Sequence, residues 1–127
     1  MKKKKILIVD DEVSFTDLLK LNLEETGRYE VKAENDGARG FEAVKVFKPD
    51  LVLIDIVMPD VTGPDVAKQI QRDETTSKIP IVFLTAMVTK DESTSKEKTI
   101  GGHHFIAKPV SPEAILREIE QYLNPES

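Results

Sequence analysis

The sequence has no cysteine and no tryptophan in its 127 residues, and its apolar runs are short. Without cysteine the chain cannot form disulfides, use thiol catalysis or bind zinc or iron–sulfur clusters through thiolates, which suits a reducing compartment. The longest apolar runs cover about four to six residues, whereas a membrane-spanning helix needs about 20. Basic residues are also outnumbered, with 18 against 23 acidic ones and a net charge of −5. A nucleic-acid-binding domain typically carries a basic surface, so no direct nucleic-acid partner is expected.

The composition indicates a folded, soluble domain. With 39% hydrophobic and 32% charged residues, the balance is typical of globular proteins, and one domain takes roughly 100–200 residues. We therefore expect a single domain over residues 1–127. Four lysines at residues 2–5 resemble the start of a signal peptide, but the apolar stretch that follows is too short and leads into three acidic residues. We expect a cytoplasmic protein in which these lysines are a solvated lead-in to a buried strand.

Short runs of apolar residues predict the strands. Four runs are apolar throughout, as expected for strands buried on both faces of a parallel sheet: residues 6–9, 51–54, 79–84 and 105–107. Residues 29–34 instead alternate between polar and apolar side chains. This alternation suits a strand near the edge of the sheet, with one face in water.

Helical periodicity marks the segments between these runs. The apolar positions are Phe15, Leu18, Leu19 and Leu23; Ala38, Phe41, Val44 and Phe47; Val66, Ala67 and Ile70; and Ile115, Leu116, Ile119 and Leu123. Ser111 is the expected N-cap of the last helix. Residues 89–99 have no apolar side chain although a crossover helix is expected there, so we predict a short, frayed fourth helix. The alternation of strand and helix, repeated five times, predicts an α/β fold with a doubly wound parallel sheet.

The residues that follow the predicted strands suggest where the chemistry lies. Ligands of open parallel sheets bind at the carboxyl ends of the strands. There the sequence places Asp10, Asp11, Asp55, Thr85 and Lys108. Crowded carboxylates repel one another unless a cation intervenes, and oxygen ligands of this kind suit Mg²⁺. No glycine-rich phosphate loop is present, so a phosphoryl group carried on an aspartate fits better than a nucleotide, with the ammonium and the hydroxyl around its oxygens.

With these residues in place, the sequence resembles a response-regulator receiver domain of bacterial two-component signalling. The resemblance runs from residue 5 to residue 123 and implies a flavodoxin-like sheet of five parallel strands, in the order 2-1-3-4-5, with five helices on two faces. The motifs that carry it are Ile-Leu-Ile-Val-Asp-Asp-Glu at 6–12, Asp-Leu-Val-Leu-Ile-Asp-Ile-Val-Met-Pro at 50–59, Gly63, Phe-Leu-Thr-Ala at 83–86, Gly101-Gly102, and Phe-Ile-Ala-Lys-Pro at 105–109.

The resemblance implies a role for each site residue. Asp55 would accept a phosphoryl group from a histidine kinase or a histidine phosphotransfer protein. Asp10, Asp11 and Asp55, with the backbone carbonyl of Val57, would bind Mg²⁺. The ammonium of Lys108 would pair with the phosphoryl oxygens. The protein would then catalyse only its own phosphorylation and dephosphorylation and would not be an enzyme that acts on external substrates.

The resemblance also implies a conformational switch. Thr85 would move to hydrogen-bond a phosphoryl oxygen, and Phe105 would turn inward behind it. The output face would be formed by the fourth helix, the fifth strand and the fifth helix, acting on a downstream protein or output domain, with a phosphorylation-dependent dimer as one form of response. The resemblance further implies a cis peptide between Lys108 and Pro109. Apolar side chains at Val57 and Met87, which flank the path of a hydrolytic water, predict a long-lived phosphorylated state.

Several alternatives stay open at this point. The chain could be the receiver of a longer DNA-binding or enzymatic regulator, or a degenerate receiver that is never phosphorylated. An aspartate-dependent phosphatase of the haloacid dehalogenase type is a further alternative, but such enzymes need a second aspartate where this chain has Val57. His103 and His104 invite a metal-site interpretation. Neighbouring residues entering a strand point to opposite sides, so we expect them to be surface turn residues.

Overall fold

From residue 4 to residue 85, strands and helices alternate in the order that the hydrophobic pattern predicts, and the predicted last strand and last helix follow within residues 103–123. The computed structural model describes residues 2–86, 99–100, 103–108 and 111–123. The strands are β1 (Lys4–Val9), β2 (Tyr29–Glu34), β3 (Leu51–Asp55), β4 (Ile81–Thr85), β5 (Thr99–Ile100) and β6 (His103–Ala107). The α-helices are α1 (Val13–Glu25), α2 (Gly40–Phe47), α3 (Gly63–Arg72) and α4 (Pro112–Leu123), and a 3₁₀ turn (Gly37–Arg39) precedes α2.

The sheet confirms the predicted fold class. Over the described residues its strand order is β2-β1-β3-β4-β6-β5. The strands β2, β1, β3, β4 and β6 are parallel and lie in the predicted order. Beyond them, Thr99 and Ile100 pair antiparallel with His104 and His103. This two-residue edge strand was not predicted, because it is too short to carry a hydrophobic periodicity.

Among the residues that the structure describes, the core forms two apolar clusters, one on each face of the sheet. In β1, Ile6 and Ile8 face the cluster that includes buried residues of α1 and α4, whereas Leu7 and Val9 face the cluster that includes those of α2 and α3. Because successive strand side chains alternate between faces, a strand with helices on both faces needs an apolar residue at every position. This arrangement explains the continuous apolar runs in the sequence.

In the described helices the predicted apolar positions hold except at Ala38 and Leu18. Ala38 is exposed in the 3₁₀ turn before α2, whose buried alanine is Ala43 instead. Leu19 and Leu23 are buried, but Leu18 is 56% exposed. Adjacent helical residues are rotated by about 100°, so Leu18 lies at the margin of a stripe centred on Leu19, and its assignment to the buried face was wrong. The buried polar residue on this face is Thr16. The predicted N-cap of α4 is confirmed, because the Ser111 hydroxyl accepts a hydrogen bond from the Ala114 N–H at 3.1 Å.

Some predictions fall outside the described residues. The frayed fourth helix was placed at residues 89–99, of which only Thr99, the first residue of β5, is described. Met87 and Pro109 also lie outside, so the predictions made for Met87 and for the Lys108–Pro109 peptide bond stay predictions. Within the ranges that the structure covers, no helix combines the length and the apolar character needed to cross a membrane.

Candidate functional site

Three carboxylates cluster at the carboxyl edge of the sheet. β1 and β3 are parallel neighbours, with Val9 paired to Ile54. Asp10, which follows β1, therefore lies beside Asp55, the last residue of β3. Asp10, Asp11 and Asp55 each offer an oxygen within 4.8 Å of the others. Asp10 is fully buried and Asp55 is 9% exposed, whereas Asp11 is exposed to solvent. Such a set of hard oxygen donors, open on one side, is suited to a divalent cation that keeps some of its waters.

The backbone around Asp55 is held by a close approach of α3. The Gly63 N–H donates to the Ile56 carbonyl at 2.8 Å. A Cβ added at Gly63 would lie 2.5 Å from the Asp55 carbonyl oxygen, so any other residue would force the strand end and the helix apart. The Thr62 hydroxyl caps α3 by accepting from the Asp65 N–H at 3.2 Å. Gly63 therefore permits the compact turn that presents Asp55.

Burial makes Asp55 hard to ionise. Its pKa is raised from 3.8 to about 6, first by burial and then by the negative charge of Asp10. The positive charge of Lys108 and a hydrogen bond from the backbone N–H of Val57 oppose this rise, and Asp11 adds a smaller increase. A bound cation would remove the charge repulsion that contributes to the raised pKa.

Lys108 joins this cluster from the far end of the chain. Its Nζ lies 2.7 Å from Asp10 Oδ2, 3.7 Å from Glu12 Oε1 and 3.9 Å from Asp55 Oδ2. Its backbone N–H donates to the Thr85 carbonyl at 2.7 Å, which ties the end of β6 to that of β4. Burial pulls the pKa of Lys108 down, but the hydrogen bond to Asp10 and the surrounding carboxylates outweigh burial and raise it. Lys108 therefore remains an ammonium at neutral pH.

Asn35 clamps the loop that carries Asp10. Its Nδ2 donates to the Asp10 carbonyl at 2.7 Å and to the Thr16 hydroxyl at 3.0 Å. The Thr16 hydroxyl donates in turn to the Val13 carbonyl at 3.0 Å, and the Glu12 N–H donates to Asp10 Oδ1 at 2.9 Å. Sequence reasoning missed Asn35, although it follows β2 directly and so lies at the same edge of the sheet.

Thr85 and Phe105 lie inside the protein on adjacent strands. Thr85 ends β4, is buried and pairs in register with Ala107 of β6. Phe105 is also buried and belongs to the same apolar cluster as Phe83. The ring of Phe105 thus already lies on the inside in this conformation.

The two histidines diverge, as strand geometry requires. The His103 ring packs edge-on against Phe83, with centroids 5.4 Å apart, while the His104 ring contacts Tyr122 of α4 at 5.3 Å. The predicted divergence is confirmed, but their assignment to a turn was wrong. Both belong to β6, because pairing with β5 begins the strand at His103. Burial, followed by the nearby His104, lowers the pKa of His103.

Val57 forms the rim of the site. Its side chain is 57% exposed, and its backbone pairs with Thr62 in an isolated antiparallel bridge. Beside it, a cleft of about 220 Å³ opens next to Asp11. The walls of this cleft are Asp11, Asn35, Asp36, Gly37, Ala38, Met58, Pro59, Asp60 and Val61.

Comparisons with known proteins identify the family. The model of the response regulator receiver domain matches residues 6–120, so the chain belongs to this family. It is 42% identical over 123 residues to the protein PilH of Pseudomonas aeruginosa, with coverage of 94% of this chain and 97% of PilH. It is 36% identical over 122 residues to the alkaline phosphatase synthesis transcriptional regulatory protein PhoP of Bacillus subtilis, but the match spans 94% of this chain and only 48% of PhoP.

Solved structures agree with the fold. The Vibrio cholerae chemotaxis protein CheY4 has a TM-score of 0.80 and 27% identity, with 94% of this chain and 98% of CheY4 covered. The receiver domain of a Pseudomonas aeruginosa sensor histidine kinase has a TM-score of 0.80 and 22% identity, with 96% and 98% covered, and was solved with a magnesium ion coordinated in its active-site cleft. At this identity the second likeness bears on the fold alone.

Proposed function

We propose that the chain is a phosphorylation-dependent switch in which Asp55 accepts a phosphoryl group from a histidine kinase or a histidine phosphotransfer protein. The observation that carries the proposal is the position of the nearly buried Asp55 carboxylate, among two further carboxylates and 3.9 Å from the Lys108 ammonium. An Asp55 oxygen attacks the phosphorus, the bond between phosphorus and the donor nitrogen breaks, and the donor histidine keeps the electron pair. Aspartate is a known nucleophile for this chemistry.

Magnesium is the proposed cofactor, and the donor set fits it. Asp10, Asp11 and Asp55 would bind the ion together with the Val57 carbonyl. Mg²⁺ prefers hard oxygen ligands and few protein carboxylates, which matches a cluster that is open to water on the Asp11 side. When bound, the ion neutralises charge on the transferring phosphoryl group.

Lys108, Thr85 and Phe105 would convert the chemistry into a signal. Lys108 would exchange part of its contact with Asp10 for a phosphoryl oxygen, and Thr85 would supply a hydroxyl to another. Phe105 would then favour one of two positions, of which the structure shows the buried one. The phosphoryl group would shift this equilibrium because it interacts more favourably with one of the two states.

The output is proposed to be a protein contact made in the cytoplasm by a single receiver unit over residues 1–127. The high coverage of PilH supports this form. A receiver within a longer transcriptional regulator is the second candidate, because the match covers about half of PhoP. The length of the complete gene distinguishes the two.

The test is incubation with acetyl phosphate and Mg²⁺, followed by mass spectrometry. We expect one added phosphoryl group, and none when EDTA replaces Mg²⁺. Asp55→Ala should abolish the addition, while Asp60→Ala, an exposed acid in the same loop, should retain it. Labelling that persists in Asp55→Ala would show that the acceptor has been misassigned. Turnover of a generic phosphate ester would instead support a phosphatase.

A further inference from the structure

We infer that Phe15 positions the Lys108 ammonium beside the phosphoacceptor through a cation–π contact. This inference deepens the proposed function and rests on it, because the lysine has work to do only if Asp55 receives a phosphoryl group. Sequence periodicity assigned Phe15 to the core face of α1, and nothing in that assignment connected it to the site. The structure places its ring against Lys108.

The ammonium lies between the aromatic ring and the carboxylates. Lys108 Nζ is 4.5 Å from the Phe15 ring centroid, within the range of about 6 Å at which a ring face attracts a cation. Asp10, the nearest carboxylate, lies 2.7 Å from the same atom. The Lys108 side chain is only 13% exposed, and a contact of this kind becomes stronger when the pair is shielded from water.

The ring is itself held in place. Phe15 is partly buried and packs against the core cluster that contains Leu19 and Leu23. These two leucines of the same helix are buried against the sheet, so α1 cannot move away from the site without opening the core. Phe15 thus offers a fixed surface to a long side chain that would otherwise sample many rotamers.

A ring suits this task better than another carboxylate. Asp10 takes up one of the three N–H donors of the ammonium in a short hydrogen bond. The ring face attracts the cation without occupying its N–H donors, so Lys108 can shift toward Asp55 while the attraction persists. The expected consequence is a faster phosphoryl transfer with little effect on metal affinity.

The first experiment compares Phe15→Leu with Phe15→Tyr at saturating Mg²⁺ and varied acetyl phosphate. Leucine keeps an apolar side chain on α1 but removes the ring, and we expect the maximal phosphorylation rate to fall about two- to tenfold. Tyrosine retains a ring face and should restore the rate. The Mg²⁺ dissociation constant, measured by calorimetry without a phosphodonor, should be unchanged in both variants. A rate lowered equally by Tyr and Leu would reduce Phe15 to a packing residue.

The second experiment reads the contact directly and needs no phosphorylation. In the wild type, the ring current of Phe15 should shift the NMR signals of the Lys108 side-chain methylene protons nearest Nζ. The shift should vanish in Phe15→Leu and persist in Phe15→Tyr. Wild-type signals without such a shift would overturn the inference, whatever the rates show.

A double-mutant comparison separates this inference from the proposed function. If Phe15 acts through the lysine, Phe15→Leu should slow the wild type but cause no further loss in a Lys108→Ala background. An equal loss in both backgrounds contradicts the inference. A wild type that takes up no phosphoryl group contradicts the proposed function instead, and the NMR result then still decides whether the contact exists.

Discussion

The two ends of β6 present polar side chains in opposite ways. At the carboxyl end, Lys108 bonds to Asp10, which lies 98 positions earlier in the chain. At the amino end, the adjacent residues His103 and His104 turn to opposite sides and pack against Phe83 and Tyr122. In a parallel sheet, functional groups therefore meet across strand ends, whereas neighbours within one strand diverge.

The two ends also treat charge differently. At the carboxyl end, buried carboxylates and an ammonium stay close together, and burial with the charge of Asp10 raises the pKa of Asp55 to about 6. At the amino end, burial lowers the pKa of His103, which favours a neutral ring that packs on Phe83. The carboxyl end therefore holds charged groups that a cation or a phosphoryl group could bind, whereas the amino end favours the neutral form of His103.

The largest expected effect concerns how ionisation of the Asp55 carboxyl group changes the free energy of unfolding. Because its folded pKa is raised, the folded state is favoured by protonation below pH 3.8, and this advantage is lost as the pH rises through about 6. The difference between these two pKa values corresponds to a loss of at most about 3 kcal/mol in the free energy of unfolding at pH 7.5. Asp55→Asn, which cannot ionise, should raise the free energy of unfolding by about 1–3 kcal/mol at that pH and by nothing near pH 3.5.

Urea unfolding in EDTA at the two pH values measures this difference. Adding Mg²⁺ should stabilise the wild type at pH 7.5, because the ion offsets the repulsion between Asp55 and the neighbouring carboxylates. The difference in free energy of unfolding between the wild type and Asp55→Asn should then become smaller. A gain of equal size at both pH values would show that packing, and not charge, separates the two proteins.

The next effect sharpens the comparison by removing one charge from the carboxyl end. Asp11→Ala should raise the Mg²⁺ concentration needed for half-maximal labelling by about tenfold or more, because it deletes one of the three proposed carboxylate ligands. Asp60→Ala is the matched control, since Asp60 is an exposed acid that lines the same cleft. Titration of labelling against Mg²⁺ measures both. Equal shifts in the two variants would mean that general negative charge, and not the cluster, recruits the ion.

A smaller effect concerns the rim of the site. The side chain of Val57 is apolar and cannot orient a hydrolytic water, whereas an amide can. Val57→Asn should therefore speed loss of the phosphoryl group by about fivefold, the worth of roughly one hydrogen bond. Val46→Asn changes another exposed valine, on α2, and should leave the decay unchanged. The measurement is the rate at which the labelled protein loses its phosphoryl group after the phosphodonor is removed. A rate in Val57→Asn equal to or slower than that of the wild type would refute the prediction.

The smallest effect tests the amino end of β6. The pKa of His103 is lowered, so its contribution to stability is present above pH 6.5 and is lost as the pH falls through the folded value. His103→Phe keeps a ring against Phe83 and should lose less stability between pH 7 and pH 5 than the wild type, with labelling of Asp55 unchanged. His104→Phe controls for added aromatic surface. Reduced labelling of Asp55 in His103→Phe would contradict this prediction and show that His103 affects the site at the other end of β6.

The sequence by itself determined the sheet. A strand covered on both faces by helices needs apolar side chains at every position, so β1, β3 and β4 are visible as continuous runs. It also placed Asp10, Asp55 and Lys108 at the strand ends, because the end of a strand is a local property. Its errors were equally local. Leu18 lies at the margin of a helical stripe, and β5 is too short to produce a periodicity.

Only the tertiary structure decided what these residues contact. The hydrogen bond from Lys108 to Asp10, the clamp made by Asn35 and the ring of Phe15 beside the ammonium join elements that are distant in the chain. The raised pKa of Asp55 has the same origin, since it comes from burial and from the charge of Asp10. Local periodicity records which face of an element is buried, but distances, side-chain directions and desolvation are set only when the elements pack together.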